Sequence, residues 1–346
     1  MRRFQFIRDL KPVDVDASVE AFLRKLDGPA CLFFSGEDDS RTRALVTLLH
    51  GNEPSGTIAL HRWLRSGQRP AVNVVCVVAS VAAALAPPLF SHRMLPRARD
   101  LNRCFRPPFE GAQGVLAAEI LEILKLHHPE AIVDMHNTSG SGPAFAVSVG
   151  VNRRHEALAS LFTRRLIISD LGLGALMEIS SEDCPAVTIE VGGRLDEPAH
   201  ELAYEGLCEY FSRAQVLHTA DADWELEILR DPIRLELKDN VTLTYADAPS
   251  PDHDITLKRD IEHHNFGVVS EDTALGWTSS PELKLFNATD AGGNCAVTQI
   301  VRTQRGILYP AQALKLFMIT NNAAIAESDC LFYAVVDELD RRFSGP

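Results

Sequence analysis

The stretch ALVTLLHGNEPSG, residues 44–56, joins a buried strand to the start of a helix and places two candidate metal ligands at the junction. Continuous apolar runs rich in β-branched residues are typical of strands buried on both faces. Pro54 suits the first turn of a helix. His50 and Glu53, spaced i and i+3, share a face if the chain enters a helical turn there. The stretch therefore predicts a strand-to-helix turn that presents an imidazole and a carboxylate together.

A second short apolar run ends in DMHNTSG, residues 134–140, which supplies another imidazole at His136. Two His and one Glu with an open fourth position form the ligand set of a catalytic zinc that activates water. A structural zinc site is more often closed by four protein ligands, frequently cysteines. Asp134 has two interpretations: an acceptor that holds the other nitrogen of a ligating His, or a polar strand residue that faces a helix terminus.

Strand-like runs alternate with helical segments over residues 1–216. The predicted strands cover residues 30–35, 44–49, 72–79, 131–135, 144–149 and 186–191, and the predicted helices cover residues 54–64, 114–127, 156–168 and 199–216. This alternation predicts an α/β fold, with a mainly parallel or mixed sheet and helices on both faces. Ligand sites in such folds lie beyond the carboxyl ends of the strands, where His50, His136 and Glu190 are predicted to lie.

Residues 217–346 have a different texture and are predicted to form a smaller, β-rich C-terminal domain. Short strand-like segments dominate there: IRLELK, VTLTYA, ELKLFNA and CAVTQIV. Only residues 329–342 suggest a long helix, and that segment is equally compatible with mixed structure.

Composition narrows the class of protein. The chain has 346 residues, 46% hydrophobic and 23% charged, with a net charge of −13, which argues against nucleic acid or an anionic membrane as a partner. The seven cysteines are scattered and odd in number, a usage typical of a reduced, cytoplasmic protein. No apolar run is long enough for a membrane-spanning helix, and no signal peptide is expected at the N-terminus.

Glu190 is an acid inside the apolar strand TIEVGG, residues 188–193. Burying a carboxylate is costly unless the group is used or paired, and burial raises its pKa. Such a carboxyl beside activated water suits the role of general base and then general acid. The alternative is an edge-strand glutamate that points to solvent.

The loop RDLNR, residues 99–103, is polar and cationic. Adjacent Asn102 and Arg103 can grip a carboxylate through charge-assisted hydrogen bonds. The alternative interpretation is a solvated surface loop.

Four segments, HGNE, RDLNRCF, DMHNTSG and TIEVGG, occur in this order, and the chain thereby resembles the succinylglutamate desuccinylase and aspartoacylase family, which is related to zinc carboxypeptidases. The resemblance implies that zinc binds to three residues: His50, Glu53 and His136. It implies that Glu190 is the general base and acid.

The same resemblance assigns the substrate contacts. Asn102 and Arg103 would hold the substrate carboxylate, and Arg93 in HRMLPRARDLNR would polarise the scissile carbonyl and stabilise the oxyanion. Arg97 is the second candidate for that role. The chain departs from the aspartoacylase pattern near Ser180, where family members carry an Arg for the second carboxylate of aspartate.

Two further departures lie elsewhere in the chain. The segment NNAAIAES has Ile325 or Ala326 in place of a family Tyr, and residues 79–82 replace a family Asn-Pro pair. These departures argue against N-acetylaspartate as the substrate.

Together these features predict a zinc-dependent amidohydrolase that removes an acyl group from an N-acyl amino acid or a related small amide. Two alternatives stay open: a metallocarboxypeptidase acting on short peptides, and a metal-binding scaffold without catalysis. The expected partner is the small-molecule substrate, with one Zn²⁺ per chain as cofactor. The oligomeric state is left open.

Overall fold

The chain divides into two units in a computed structural model, which describes residues 4–170, 172–218, 223–280, 282–290, 292–328 and 330–336. The first unit contains Met1–Asn137 and Ala144–Ile228, and the second contains Thr138–Pro143 and Leu229–Pro346. The sequence places the domain boundary after residue 216, and the two units differ from that placement in two ways. The first unit extends to residue 228, and the short segment 138–143 belongs to the second unit.

A nine-stranded sheet forms the centre of the first unit, in the order β1-β2-β4-β3-β5-β8-β6-β7-β9. Its strands are β1 (Gln5–Arg8), β2 (Ala30–Phe34), β3 (Asp38–Thr47), β4 (Val72–Val78), β5 (Ile132–Thr138), β6 (Phe145–Ser148), β7 (Arg165–Ile168), β8 (Ala186–Gly193) and β9 (Glu227–Arg230). The helices are α1 (Val19–Leu26), α2 (Ser55–Ser66), α3 (Val81–Leu85), α4 (Gly111–His127), α5 (Arg153–Ser160) and α6 (Glu197–Ser212).

Helices cover both faces of this sheet. One core cluster packs α1, α2, α5 and α6 on one face, and a second cluster packs α4 on the other. The sheet is mixed, because β3 runs parallel to β4 and β5 while β2–β4 and β6–β8 are antiparallel pairs. The predicted fold class is confirmed.

The register of β3 against β5 positions the candidate site. Thr47, the last residue of β3, lies opposite Met135 in β5, so the chain just after Thr47 is level with His136. The carboxyl ends of parallel neighbours meet at one edge of a sheet. The two predicted ligand segments therefore meet although more than eighty residues separate them in the chain.

The second unit contains two five-stranded sheets, in the orders β13-β18-β19-β10-β15 and β11-β12-β14-β17-β16. Their strands are β10 (Ile233–Leu237), β11 (Leu243–Tyr245), β12 (Ile255–Leu257), β13 (Val268–Val269), β14 (Gly276–Thr278), β15 (Phe286–Thr289), β16 (Val301–Gln304), β17 (Ile307–Pro310), β18 (Leu314–Phe317) and β19 (Phe332–Val336). The helices α7 (Val297–Ile300) and α8 (Ala323–Ser328) are short, and one apolar core joins both sheets.

Two predicted elements were wrong in part. The helix predicted over residues 156–168 ends at Ser160, and Arg165–Ile168 forms β7, because this β-branched segment pairs in parallel with β6. The strand predicted from CAVTQIV is the short helix α7 followed by the start of β16. Within residues 329–342, Phe332–Val336 is a strand paired with β18 and β10, whereas residues 329 and 337–342 lie outside the described residues.

Among the described residues, no helix has both the length and the apolar character needed to cross a bilayer.

Candidate metal centre

The turn after β3 presents the first two candidate ligands through a strained backbone. Leu48 is fully buried and has a φ of 60°, in the left-handed region that is costly for a branched side chain. Ser80 holds this turn in place, since its N–H donates to the Leu48 carbonyl and its hydroxyl donates to the Leu49 carbonyl, each at 2.8 Å. Ser80 lies in the segment that departs from the family pattern, and it anchors the turn that carries His50.

Gly51 fits this turn because the backbone of α3 approaches it closely. A Cβ added at Gly51 would lie 2.6 Å from the Cβ of Ala83 and from the amide nitrogen of Ala84. The Gly51 N–H donates to the Arg93 carbonyl at 2.9 Å. A larger residue at position 51 would therefore displace the turn between His50 and Glu53.

The three predicted ligands converge in the first unit and are buried. Nδ1 of His50 lies 2.9 Å from Oε1 of Glu53, and Nδ1 of His136 lies 2.6 Å from Oε2 of the same carboxylate. One ligand atom from each residue lies within 4.8 Å of the others. The Glu53 carboxylate thus lies between the two imidazoles.

A second carboxylate holds each imidazole from behind. Nε2 of His50 lies 2.9 Å from Oδ1 of Asp100, and Nε2 of His136 lies 2.8 Å from Oδ2 of Asp134. A neutral imidazole that donates from Nε2 keeps its lone pair on Nδ1. Both Nδ1 lone pairs then face Glu53, an arrangement that requires either a proton or a cation between the atoms.

The pKa values of Glu53 and His136 shift in the directions that favour a positive charge between the facing nitrogen and oxygen atoms. Burial raises the pKa of the Glu53 carboxyl, but the charges and hydrogen bonds of His50 and His136 outweigh it and lower the pKa. For His136, burial lowers the pKa, and the carboxylates of Asp134 and Glu53 raise it well above the usual value. The cluster therefore stabilises positive charge between its nitrogen and oxygen atoms.

The donor set suits zinc. Two imidazole nitrogens and one carboxylate, each imidazole backed by a carboxylate, form the usual protein ligand set of a catalytic zinc site with room for a further ligand. A cation between the two Nδ1 atoms and the Glu53 carboxylate would satisfy all three groups.

Arg93 lies at the edge of this cluster. Its Nε and Nη2 donate to Oδ2 of Asp100 at 3.1 and 2.9 Å, and its Nη1 lies 3.2 Å from Oε1 of Glu53. Burial raises the pKa of the Asp100 carboxyl, and the hydrogen bond from His50 and the nearby arginine charges lower it well below its usual range. Arg97 is exposed, with a φ of 66°. The geometry thus favours Arg93 over Arg97 as the arginine at the cluster.

Glu190 lies in β8 opposite Phe145 of β6. Its Oε2 is buried and has no hydrogen-bond partner among the described residues. Burial raises the pKa of Glu190 to about 7, against the lowering effect of the His136 charge. A carboxyl with this pKa can exchange a proton near neutral pH.

Asn102 and Arg103 follow Asp100 in a short 3₁₀ turn. The Asn102 N–H donates to Asp100 at 2.8 Å, while Oδ1 of Asn102 accepts from the Leu176 N–H at 2.9 Å. Arg103 donates from Nη1 to the Asn102 carbonyl at 2.9 Å. The turn therefore places the Asn102 backbone against Asp100, and the Arg103 charge helps to lower the pKa of the Asp100 carboxyl.

Asp100 and Asn137 contact residues of the candidate site, but the sequence alone did not predict a role for either of them. Asp100 belongs to the motif RDLNR, but its contact with His50 spans fifty residues of chain, so local spacing gave no signal. Asn137 follows the ligand His136 and bonds to Ser55 and Gly192. An amide directly after a predicted ligand is the only sequence signal it offered.

Residues 39–196 match the family model for the succinylglutamate desuccinylase/aspartoacylase catalytic domain, and this span contains every residue of the candidate site. No curated protein matches the chain.

Solved structures share the fold at low sequence identity. A succinylglutamate desuccinylase from Vibrio parahaemolyticus has a TM-score of 0.58 and 13% identity, covering 92% of this chain and 94% of its own. A succinylglutamate desuccinylase/aspartoacylase from Rhodobacter sphaeroides has a TM-score of 0.53 and 15% identity, covering 84% and 83%. Murine aminoacylase 3 has a TM-score of 0.50 and 16% identity, covering 87% and 96%. At these identities the likeness concerns the fold alone.

Proposed function

Residues 39–196 of this chain belong to the succinylglutamate desuccinylase/aspartoacylase catalytic-domain family. From this premise we propose that the protein is a zinc-dependent hydrolase, which removes the acyl group from an N-acyl amino acid or a related small amide. The family predicted from the four sequence segments is confirmed. The observation that carries the proposal is the convergence of His50, Glu53 and His136 near the half-buried Glu190, whose Oε2 is buried and whose pKa is raised to about 7.

His50, Glu53 and His136 would hold the zinc ion, with Asp100 and Asp134 orienting the two imidazoles. When bound, zinc supplies a Lewis acid that makes water more acidic and polarises a carbonyl group. The two aspartates keep the Nε2 protons in place and raise the basicity of the Nδ1 ligand atoms.

Glu190 would accept the proton of the attacking water and later deliver it to the leaving amine. Its unpartnered buried Oε2 and its raised pKa support both roles, because one carboxyl must act as base and then as acid near neutral pH. No other proton carrier is needed, since the proton removed from water is the one that the amine receives.

Arg93 would stabilise the negative charge that develops on the carbonyl oxygen. Asp100 fixes its guanidinium through two hydrogen bonds, so the charge is oriented before the reaction begins. Asn102 and Arg103 would bind the carboxylate of the amino-acid part of the substrate.

Two alternatives use the same residues. A metallocarboxypeptidase would release the C-terminal residue of short peptides with a free carboxyl terminus, and a scaffold protein would bind zinc without turnover. Glu190 argues against the scaffold, because a purely structural metal site has no use for a carboxyl oxygen that is buried at a cost in free energy without a hydrogen-bond partner among the described residues.

The test is hydrolysis by the purified zinc-loaded protein of a panel of N-acyl amino acids and of unblocked dipeptides, which have a free carboxyl terminus. Deacylation without dipeptide cleavage supports the proposal, and dipeptide cleavage alone supports a carboxypeptidase. Zinc binding with no turnover on either class supports the scaffold. Glu190→Gln should lose the deacylase activity if Glu190 is the base. Glu20→Gln, which changes an exposed glutamate in α1, is the matched control and should keep that activity.

A further inference from the structure

The side chain of Asn137 is buried, and its amide makes three hydrogen bonds in the first unit. Its Oδ1 accepts from the Ser55 N–H at 3.0 Å, and its Nδ2 donates to the Ser55 hydroxyl at 2.7 Å and to the Gly192 carbonyl at 2.9 Å. A backbone N–H can only donate and a backbone carbonyl can only accept, so these partners fix which end of the amide is oxygen. Of the standard side chains, only an amide offers an acceptor and two donors at this reach.

Asn137 projects from the opposite face of β5 from the ligand His136. Successive residues of a strand point to opposite faces, and the contact between His136 and Asp134 places those two side chains on one face. Met135 lies on the other face, in the core cluster that contains α2 and α6. Asn137 therefore lies behind the candidate ligands, on the face of β5 opposite to His136.

The amide links three segments that each carry a functional residue. Ser55 begins α2 two residues after the ligand Glu53, and Gly192 follows Glu190 by two residues in β8. Pro54 at the N-cap offers no side-chain acceptor to the first N–H groups of α2. Asn137 supplies that acceptor from β5, the strand that also carries His136.

We propose that Asn137 is a positioning residue that sets the Glu53 turn and the Glu190 strand at their working separation from His136. The inference rests on the proposed function of this site. Replacing the amide would leave the Gly192 carbonyl and the Ser55 N–H without their buried partners. The ends of α2 and β8 would then be free to shift relative to β5, and with them Glu53 and Glu190.

Asn137→Asp is the sharpest variant, because it keeps the shape of the side chain and replaces the two donors with a carboxylate oxygen that faces the Gly192 carbonyl. The matched control is Asn152→Asp. Oδ1 of Asn152 caps α5 by accepting from the N–H groups of Arg154 and His155, and aspartate caps a helix as well as asparagine does.

The primary measurement is the zinc dissociation constant, obtained by competition with a chelator in the absence of substrate and well below the unfolding temperature. We expect Asn137→Asp to weaken zinc binding by about 10-fold or more, the scale for groups that orient metal ligands. We expect Asn152→Asp to stay within about 2-fold of wild type. For the deacylase activity, kcat should fall while KM changes little, because the substrate anchors Asn102 and Arg103 are untouched.

A merely structural role would lower the unfolding temperature and leave the zinc dissociation constant and kcat of the folded protein unchanged, and that result would overturn the inference. If Asn137→Asp does not fold, Ser55→Ala replaces it. This variant removes the Ser55 hydroxyl, which accepts from Nδ2 of Asn137 and also bonds to Nδ1 of His200 at 2.8 Å, and it should weaken zinc binding by about 3-fold. Unchanged zinc affinity in Ser55→Ala would then count against the positioning role.

The two proposals fail separately. A wild-type protein that binds zinc but deacylates nothing would contradict the proposed function, while the ratio of zinc affinities would still decide the role of Asn137. Deacylation by wild type together with wild-type zinc affinity and kcat in Asn137→Asp would overturn the positioning role alone. A wild-type protein that binds no zinc would overturn both.

Discussion

Nε2 of His50 and Oδ1 of Asp100 lie 2.9 Å apart, although fifty residues separate them in the chain. The other oxygen of Asp100 accepts two hydrogen bonds from Arg93. One carboxylate therefore orients both a proposed zinc ligand and the proposed oxyanion arginine, so that a change at Asp100 affects metal binding and turnover together.

Asp100→Asn is expected both to weaken zinc binding and to lower kcat/KM, by about 10- to 100-fold, the scale for groups that hold a ligating His. The neutral amide loses the charge that stabilises His50 and Arg93, and its NH₂ end would face one of their donors. Chelator competition and steady-state kinetics measure the two effects. Asp9→Asn, at an exposed residue of the first unit, is the control. An Asp100→Asn protein with wild-type zinc affinity and kinetics would show that the contact between His50 and Asp100 affects neither zinc binding nor turnover.

His136→Ala is expected to lose zinc, because the two remaining ligands cannot complete the site. Elemental analysis should find about one zinc per chain in wild type and far less in the variant. His218→Ala changes an exposed histidine and should retain the metal. Full zinc retention in His136→Ala would remove His136 from the ligand set.

Glu190→Gln is expected to keep zinc and the fold and to lose about 10²- to 10⁴-fold in turnover, the scale for a positioned acid or base. The glutamine has the same shape but cannot accept the proton of water. Near-wild-type activity in this variant would contradict the proposed base.

The pH profile gives an independent test of Glu190. The base acts in its charged form, so kcat/KM should rise with pH as the carboxyl loses its proton and level off above its pKa. Burial raises that pKa to about 7, and the charge of bound zinc opposes this effect, which places the acid limb at or below pH 7. An acid limb unchanged in the residual activity of Glu190→Gln would assign it to another group.

N-acyl derivatives of neutral amino acids are expected to be hydrolysed with higher kcat/KM than N-acetylaspartate. Asn102 and Arg103 can anchor one carboxylate, while Ser180, near the position of the family's second cationic anchor, bonds to His155 and to the Ala186 N–H. A buried charge without a partner is strongly disfavoured.

Three arginines that would have to replace that anchor in space make contacts of their own. Arg153 pairs with Glu156, Arg154 donates to the Glu182 carbonyl, and Arg194 donates to the Phe90 carbonyl. A clear preference for N-acetylaspartate over N-acyl neutral amino acids would show that a second anchor exists elsewhere.

Arg43→Met is expected to destabilise the first unit by about 3–5 kcal/mol, the usual effect of breaking a buried ion pair. The guanidinium is fully buried, pairs with Glu130 at 2.7 Å, and donates to three carbonyls at the end of α6: those of Tyr210, Arg213 and Ala214. Chemical unfolding measures the change. Arg24→Met breaks an exposed pair with Glu20 and should cost less than about 1 kcal/mol.

The sequence by itself determined the helices and strands with a strong hydrophobic periodicity. It also determined which candidate ligand residues stand at the ends of the strands. The apolar run before HGNE predicted a strand, and the i, i+3 spacing of His50 and Glu53 predicted a shared face. These signals are local, because hydrophobic periodicity and turn residues act over a few positions. The helix predicted over residues 156–168 was wrong where β6 offered a parallel partner to residues 165–168, since pairing with a distant strand overrides local preference.

Only the tertiary structure decided which groups stand behind the ligands. The order of strands in the sheet brings Asp100 to His50 and Asn137 to Ser55 and Gly192, and no short-range pattern encodes pairs fifty or eighty residues apart. The raised pKa of Glu190 likewise depends on burial by the assembled sheet. The sequence thus supplied the chemical groups, and the packing of β3, β5 and β8 fixed their distances and protonation, because both depend on neighbours that only the folded chain brings together.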